Sequence, residues 1–137
     1  MSDQYIADIL GKVKTIALVG ASEKTDRPSY KVMKYLLNQG YRVIPVSPKL
    51  AGQTLLNQPV VGQLSDIKQP VDMVDVFRNA DAVYGVAEEA IVIGAKVLWL
   101  QQGIINEDAK LLAENKGLEV VMDRCPKIEI PRLGMEK

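Results

Sequence analysis

Apolar residues along this chain follow two rhythms, short unbroken runs and longer stretches with a period near that of a helix. Tyr5, Ile6, Ile9 and Leu10 stand at helical spacing and predict a short first helix that ends near Gly11 and packs on the outside of the domain. The run "TIALVG" (15–20) has strand length and no polar face, as expected of a parallel strand covered on both sides. A second helix opens near Pro28, whose fixed φ suits a first turn, and closes before Gly40, with Val32, Met33, Leu36 and Leu37 as its core stripe. "YRVIPVS" (41–47) is the second strand; Pro45 lacks a backbone donor and belongs near that strand's end or at an irregular spot.

The connector 48–70, broken by Pro48, Gly52, Pro59, Gly62 and Pro70, predicts irregular chain with at most one helical turn near Ser65 to Ile67. "VDMVDVF" (71–77) alternates apolar and acidic residues and reads as a third strand. Asn79 is then placed to cap a helix through about Ile93, with Ala80, Val83, Ala87, Ala90 and Ile91 facing inward. "AKVLWLQ" (95–101) is the fourth strand. A helix capped by Asn106, acidic in its first turn, runs to Gly117, and "LEVVM" (118–122) is the fifth strand. From Asp123 the tail carries two prolines and reads as coil or short helical turns. Strands alternating with helices predict one α/β domain, an open parallel five-stranded sheet with helices on both faces. Ligands in such folds bind beyond the carboxyl ends of the strands, where strand order reverses.

Composition narrows the chemistry. The 137 residues suit one domain, and 17 basic residues balance 17 acidic ones, so no global field draws the chain to nucleic acid or an acidic membrane. Any anion site must be local. No apolar stretch is long enough to span a bilayer, and the start lacks the pattern of a signal peptide. A lone Cys125 excludes an internal disulfide and fits a reducing compartment, so a cytoplasmic location is the default. With no histidine in the chain, a serine–histidine or cysteine–histidine nucleophile pair is excluded, and a zinc site lacks its usual ligands.

The strand ends carry the candidate site. After strand one come Gly20, Ala21 and Ser22, then Arg27, Pro28 and Ser29 at the helix start. A glycine that admits close backbone approach, free N–H groups, a hydroxyl and an arginine make a phosphate loop, while a plain turn accounts for the glycine alone. The three-glycine dinucleotide fingerprint is missing, and the acidic residue it needs after strand two is replaced by Ser47, Pro48 and Lys49. A lysine there suits a phosphorylated ribose, as in NADP or coenzyme A, and equally an exposed surface. After strand three, Phe77 and Arg78 can stack or pair with an adenine-ribose group, or Phe77 can be core. After strand four, Gln101, Gln102 and Gly103 offer amides and a turn. Cys125 reads as a buried small residue, and Asp72 and Asp75 lie within or beside the layer behind the site without an evident acid–base partner.

"VGASEKTDRPSYKVMKYLLNQGYRVIPVSPK", "PVDMVDVFRN", "EEAIVIGAKVLWLQQGIINEDA" and "GLEVVMDRCPKIE" together resemble the small bacterial CoA-binding proteins, single-domain relatives of the N-terminal CoA-binding domain of the succinyl-CoA synthetase alpha subunit. The resemblance spans about residues 10 to 133 and implies a Rossmann-like domain holding coenzyme A, or an acyl-CoA, along the strand ends. By it, Gly20, Ala21 and Ser22 with Arg27, Pro28 and Ser29 would hold phosphates. Ser47, Pro48 and Lys49 would lie near the phosphorylated ribose, Val76, Phe77 and Arg78 would flank the nucleotide, and Gln101 and Gly103 would line the pantetheine path. The synthetases carry their phosphoryl group on a histidine, which this chain lacks, so the resemblance transfers binding and leaves ligase activity behind. The expectation is therefore a binding module with no catalytic residue and no metal, acting alone, as a homodimer or with a partner protein. Its rivals are an NADP-dependent reductase, an enzyme that transforms acyl-CoA, and an interaction protein with a vestigial pocket.

Overall fold

The computed structural model describes residues 1–137. Its elements are α1 (Asp3–Lys12), β1 (Thr15–Val19), α2 (Pro28–Asn38), β2 (Arg42–Val46), β3 (Thr54–Leu55), β4 (Gln58–Pro59), a 3₁₀ turn (Leu64–Asp66), β5 (Met73–Val76), α3 (Ala80–Val92), β6 (Val97–Leu100), α4 (Glu107–Asn115), β7 (Glu119–Val121) and α5 (Pro126–Arg132). Five strands form one parallel sheet in the order β2-β1-β5-β6-β7. The chain winds one way from β1 to β2 and the other way from β5 onward. This puts α1, α2 and α5 on one face and α3 and α4 on the other, and sets the reversal point between β1 and β5.

Each face has its own core, because successive side chains of a strand point to opposite sides. Ile16, Leu18, Met73, Val97 and Trp99 pack under α1, α2 and α5 with Ile6, Ile9, Val32, Met33 and Leu36. Ala17, Val74, Val76, Leu98 and Leu100 pack under α3 and α4 with Val83, Ala87, Ala90, Ala109 and Ala113. The small alanines let α3 and α4 sit close to the sheet. The inward face of α3 departs from expectation at its start, where Ala80 is exposed and Val86 is buried instead. No helix is long and apolar enough to cross a membrane.

The connector after β2 is more ordered than its prolines predict. Thr54 pairs with Pro59 and Leu55 with Gln58 across a two-residue turn, and Leu56 and Asn57 take φ of 49° and 64°. These are the left-handed values a tight hairpin needs to match strand twist. The hairpin returns Val61 to the outer side of β2, where its N–H donates to Pro45 O (3.1 Å) and its C=O accepts from Ser47 N (2.9 Å). Pro45 therefore presents to the sheet edge the side on which its missing donor is least missed. The tail also gains structure, since residues after Cys125 form α5 and contribute Ile130 to the core.

The opposite edge is closed by a side chain. The Tyr5 hydroxyl accepts from Val120 N (2.9 Å) and donates to Val120 O (3.0 Å), meeting both outward backbone groups of β7. Tyr5→Phe leaves those groups without their partner, and we expect a loss of about 1–2 kcal/mol in unfolding free energy by denaturant titration, with m unchanged. A loss within error would mean that water replaces the hydroxyl without cost.

Candidate functional site

The residues that follow the strands are tied into a row. Gly20 N and Ala21 N both donate to Val46 O (3.1 and 3.2 Å), Phe77 N donates to Val19 O (2.8 Å), and Gln101 N and Arg124 N donate to Val76 O and Leu100 O (both 3.4 Å). Each post-strand residue is thus anchored to the neighbouring strand, extending the ladder by one rung along the whole carboxyl edge. The arrangement corrects one sequence-based expectation: the N–H groups of Gly20 and Ala21 hold the sheet together and are not free for a ligand.

Gly20 lies at the reversal point and its φ is +92°. A Cβ there would fall 2.3 Å from the carbonyl oxygen of Phe77, so only glycine lets the loops after β1 and β5 meet. Beyond it the chain runs through Ser22, whose hydroxyl accepts from Lys24 N (3.1 Å), to the start of α2. The residue at the cap position is Arg27, which cannot accept a hydrogen bond, and no side chain caps the helix. Neither Ser22 N nor the first-turn N–H groups of Ser29 and Tyr30 have an acceptor. By contrast Ser2 caps α1 and Asn106 caps α4. Asn79 departs from the role expected of it, because at the start of α3 its side chain accepts nothing from the helix and lines a cleft.

Two clefts open from this point and share Gly20 and Arg78. The first, about 500 Å³, is walled by Gly20, Ser22, Arg27, Pro28, Ser29, Phe77, Arg78, Asn79, Gln101, Gln102, Ile104 and Cys125. It contains two arginines and no carboxylate, and neither arginine is in an ion pair. In a chain of zero net charge this is a local positive site. The second cleft, about 710 Å³, lies on the α3 side and is walled by Val19, Gly20, Val46, Ser47, Pro48, Gly62, Gln63, Leu64, Asp66, Arg78, Val86 and Glu89. Its two carboxylates outnumber its one arginine, so it favours groups that donate hydrogen bonds.

Of the residues singled out in the sequence, the basic cleft gathers Gly20, Ser22, Arg27, Pro28, Ser29, Phe77, Arg78 and Gln101, and the acidic cleft adds Ser47 and Pro48. Four stand apart. Ala21 packs against the α2-side core, Val76 is wholly buried under α3, Lys49 is exposed beside Pro48 outside the lining, and Gly103 is exposed with its N–H held by Asp123 Oδ1 at 2.7 Å. Sequence reasoning missed Gly62, Gln63 and Leu64, which the hairpin delivers, and Val86 and Glu89 of α3, which wall the acidic cleft.

Asp75 occupies β5, the central strand, between Leu18 of β1 and Trp99 of β6, and its exposure is 0%. No ion pair reaches it, and burial alone pushes its carboxyl well above the ordinary carboxylate range. Its hydrogen-bond partner is the Gln101 side chain: with the amide turned to donate, its nitrogen stands 2.8 Å from Oδ1 and 3.2 Å from Oδ2. Asp72, at the other end of the segment, accepts instead from Lys14 N (2.9 Å) and Thr15 N (3.0 Å) and has a structural task.

Comparison with known proteins places the chain in a family. The family model described as "CoA binding domain" matches residues 14–131. The uncharacterized protein YneT of Bacillus subtilis (strain 168) is 42% identical over 127 residues, covering 93% of each chain. The structure of cell-free ID.343 from Thermus thermophilus is 39% identical with a TM-score of 0.92, over 97% of this chain and 99% of that one. A hypothetical protein from Pyrococcus horikoshii OT3 is 40% identical with the same TM-score of 0.92, over 97% and 92%. With the match running from before β1 into α5 and so taking in every strand end described above, the chain belongs to the CoA binding domain family.

Proposed function

We propose that this protein binds coenzyme A or an acyl-CoA across the two clefts and acts as a binding module rather than as a catalyst. The observation that carries the reading is the uncapped start of α2, where Ser29, with its free N–H, and the unpaired Arg27 stand in the wall of the basic cleft with Gly20. A helix N-terminus with an arginine beside it favours a diphosphate. The acidic cleft suits the nucleoside, whose amino and hydroxyl groups can donate to Asp66 and Glu89, and Lys49 stands just outside it for a ribose phosphate. The pantetheine arm then runs along the row past Phe77 towards Gln101 and Cys125. Cavities of this size fall within the range of small-molecule sites.

What supports a binding role is the character of the lining. The ionisable groups lining the basic cleft are Arg27, Arg78 and the Cys125 thiol, with no carboxylate or histidine among them to serve as a base. Calorimetric titration with CoA, acetyl-CoA, dephospho-CoA, NADP and NAD in parallel tests the reading, with the CoA species expected to bind more tightly than either nicotinamide nucleotide. Arg27→Ala should weaken CoA about tenfold or more, the range for a charge-assisted contact. Lys49→Glu should weaken CoA much more than dephospho-CoA. A preference for NADP would overturn the proposal in favour of a reductase, and equal weakening by Lys49→Glu would remove that lysine from the phosphate.

A further inference from the structure

A carboxyl group buried in the central strand of a sheet costs stability unless it is hydrogen-bonded, and more if it is ionised. The other residues of β5 are Met73, Val74 and Val76, all buried, and an apolar side chain at position 75 would complete the core. Asp75 instead meets Gln101, which is itself 5% exposed and lies in the wall of the basic cleft. A side-chain amide has one donating end and one accepting end, so whichever end Asp75 takes leaves the other for the cleft.

We infer that Asp75 is a positioning residue that acts through Gln101, setting which end of that amide meets the ligand and so whether the site prefers free CoA or an acyl-CoA. The inference rests on the coenzyme A reading above. The sheet order places the post-strand residues in the sequence Ser47, Gly20, Phe77, Gln101, so a ligand with its nucleotide at the first two presents the end of its pantetheine arm near Gln101. With Asp75 ionised, the Gln101 nitrogen donates to the carboxylate and Oε1 is left to accept from a thiol or amide N–H. With Asp75 protonated, its O–H donates to Oε1, and the amide nitrogen is left to donate to a thioester carbonyl. The proton moves between Asp75 and solvent, and no bond of the ligand changes.

The surroundings leave Asp75 as the group that sets this state. The core on its face takes Leu18 from β1, Trp99 from β6, Val32 and Met33 from α2, Ile6 and Ile9 from α1, and Cys125 and Ile130 from α5, with Tyr5, Tyr30, Tyr35 and Tyr41 half-buried at its margin. The Cys125 thiol and these phenols are its titratable members. None of them, and no charged side chain, contributes to the displacement of the Asp75 carboxyl, which comes from burial alone.

The test is the ratio of acetyl-CoA to CoA affinity, measured by calorimetry from the ordinary carboxylate range upward across the whole interval in which the protein stays folded, because burial moves the Asp75 carboxyl above that range. The ratio cancels the titration of the phosphates and adenine, which both ligands share. In the unaltered protein it should favour acetyl-CoA at the acid end and shift about tenfold toward CoA at the alkaline end, the scale of one reversed hydrogen bond. In Asp75→Asn the ratio should be independent of pH, and in Gln101→Met, which keeps Asp75 and removes the amide, it should be flat as well. Gln101→Met also serves if Asp75→Asn does not fold. A flat ratio in the unaltered protein, or an unchanged pH dependence in either variant, overturns the inference while leaving coenzyme A binding intact. Failure of the unaltered protein to bind either ligand overturns the coenzyme A reading, and the inference with it.

Discussion

Gly20→Ala is expected to lower the unfolding free energy by about 3 kcal/mol or more, a fall of about 10 °C in midpoint for a chain of this size, and to abolish ligand binding. Two costs combine there. The residue holds φ at +92°, where an L side chain is strained, and the new Cβ would sit 2.3 Å from the Phe77 carbonyl oxygen. That oxygen is main chain, so relief requires the loops after β1 and β5 to separate. Their separation breaks the row of bonds from Val46 to Gln101 on which both clefts are built. Gly103→Ala is the matched control, because Gly103 has φ of +85° with nothing within 4 Å of its absent Cβ. It should cost only about 1 kcal/mol, the conformational part. Thermal melts of the two variants separate the contributions, and similar losses in both would show that the close approach to Phe77 costs little.

The second large effect concerns Asp75 and is a matter of pH. In the unfolded chain its carboxyl titrates near its ordinary 3.8, whereas in the fold burial keeps the proton on to a much higher pH. Between those two values the native state holds a proton the unfolded state has released, so stability falls as pH rises, by up to about 1.4 kcal/mol per pH unit. Below the lower value both states are protonated and the penalty vanishes. Asp75→Asn keeps the shape and removes the titration. The variant should therefore gain on the unaltered protein as pH rises above about 4, with a constant difference below it. Denaturant titrations at several pH values read this directly, and parallel stability profiles would mean that Asp75 is not held protonated by burial.

How much of this was legible in the sequence follows from how local each cause is. The strands β1 and β6 announce themselves as unbroken apolar runs, because a parallel strand is covered on both faces. Pro28 and Asn106 mark the starts of α2 and α4 through chemistry confined to a few residues. The hairpin at 54–59 escaped because its turn, Leu56–Asn57, lacks the glycine that usually signals left-handed backbone, and its strands are two residues each. With the hairpin went Gly62, Gln63 and Leu64, which reach the acidic cleft only because Val61 is returned to β2. Asn79 is a good capping residue by type, yet its side chain lines the cleft instead of bonding to α3. The partnership of Asp75 with Gln101 is beyond any local reading, since only the register of two neighbouring strands brings them together.

The chain itself covers part of both margins of the sheet, Val120 of β7 meeting the Tyr5 hydroxyl and the carboxyl half of β2 meeting the returning Val61, beside a proline that has no hydrogen to offer. Strand addition by a second polypeptide, a route by which an open sheet recruits a neighbour or seeds a fibril, thereby finds its template interrupted on both sides.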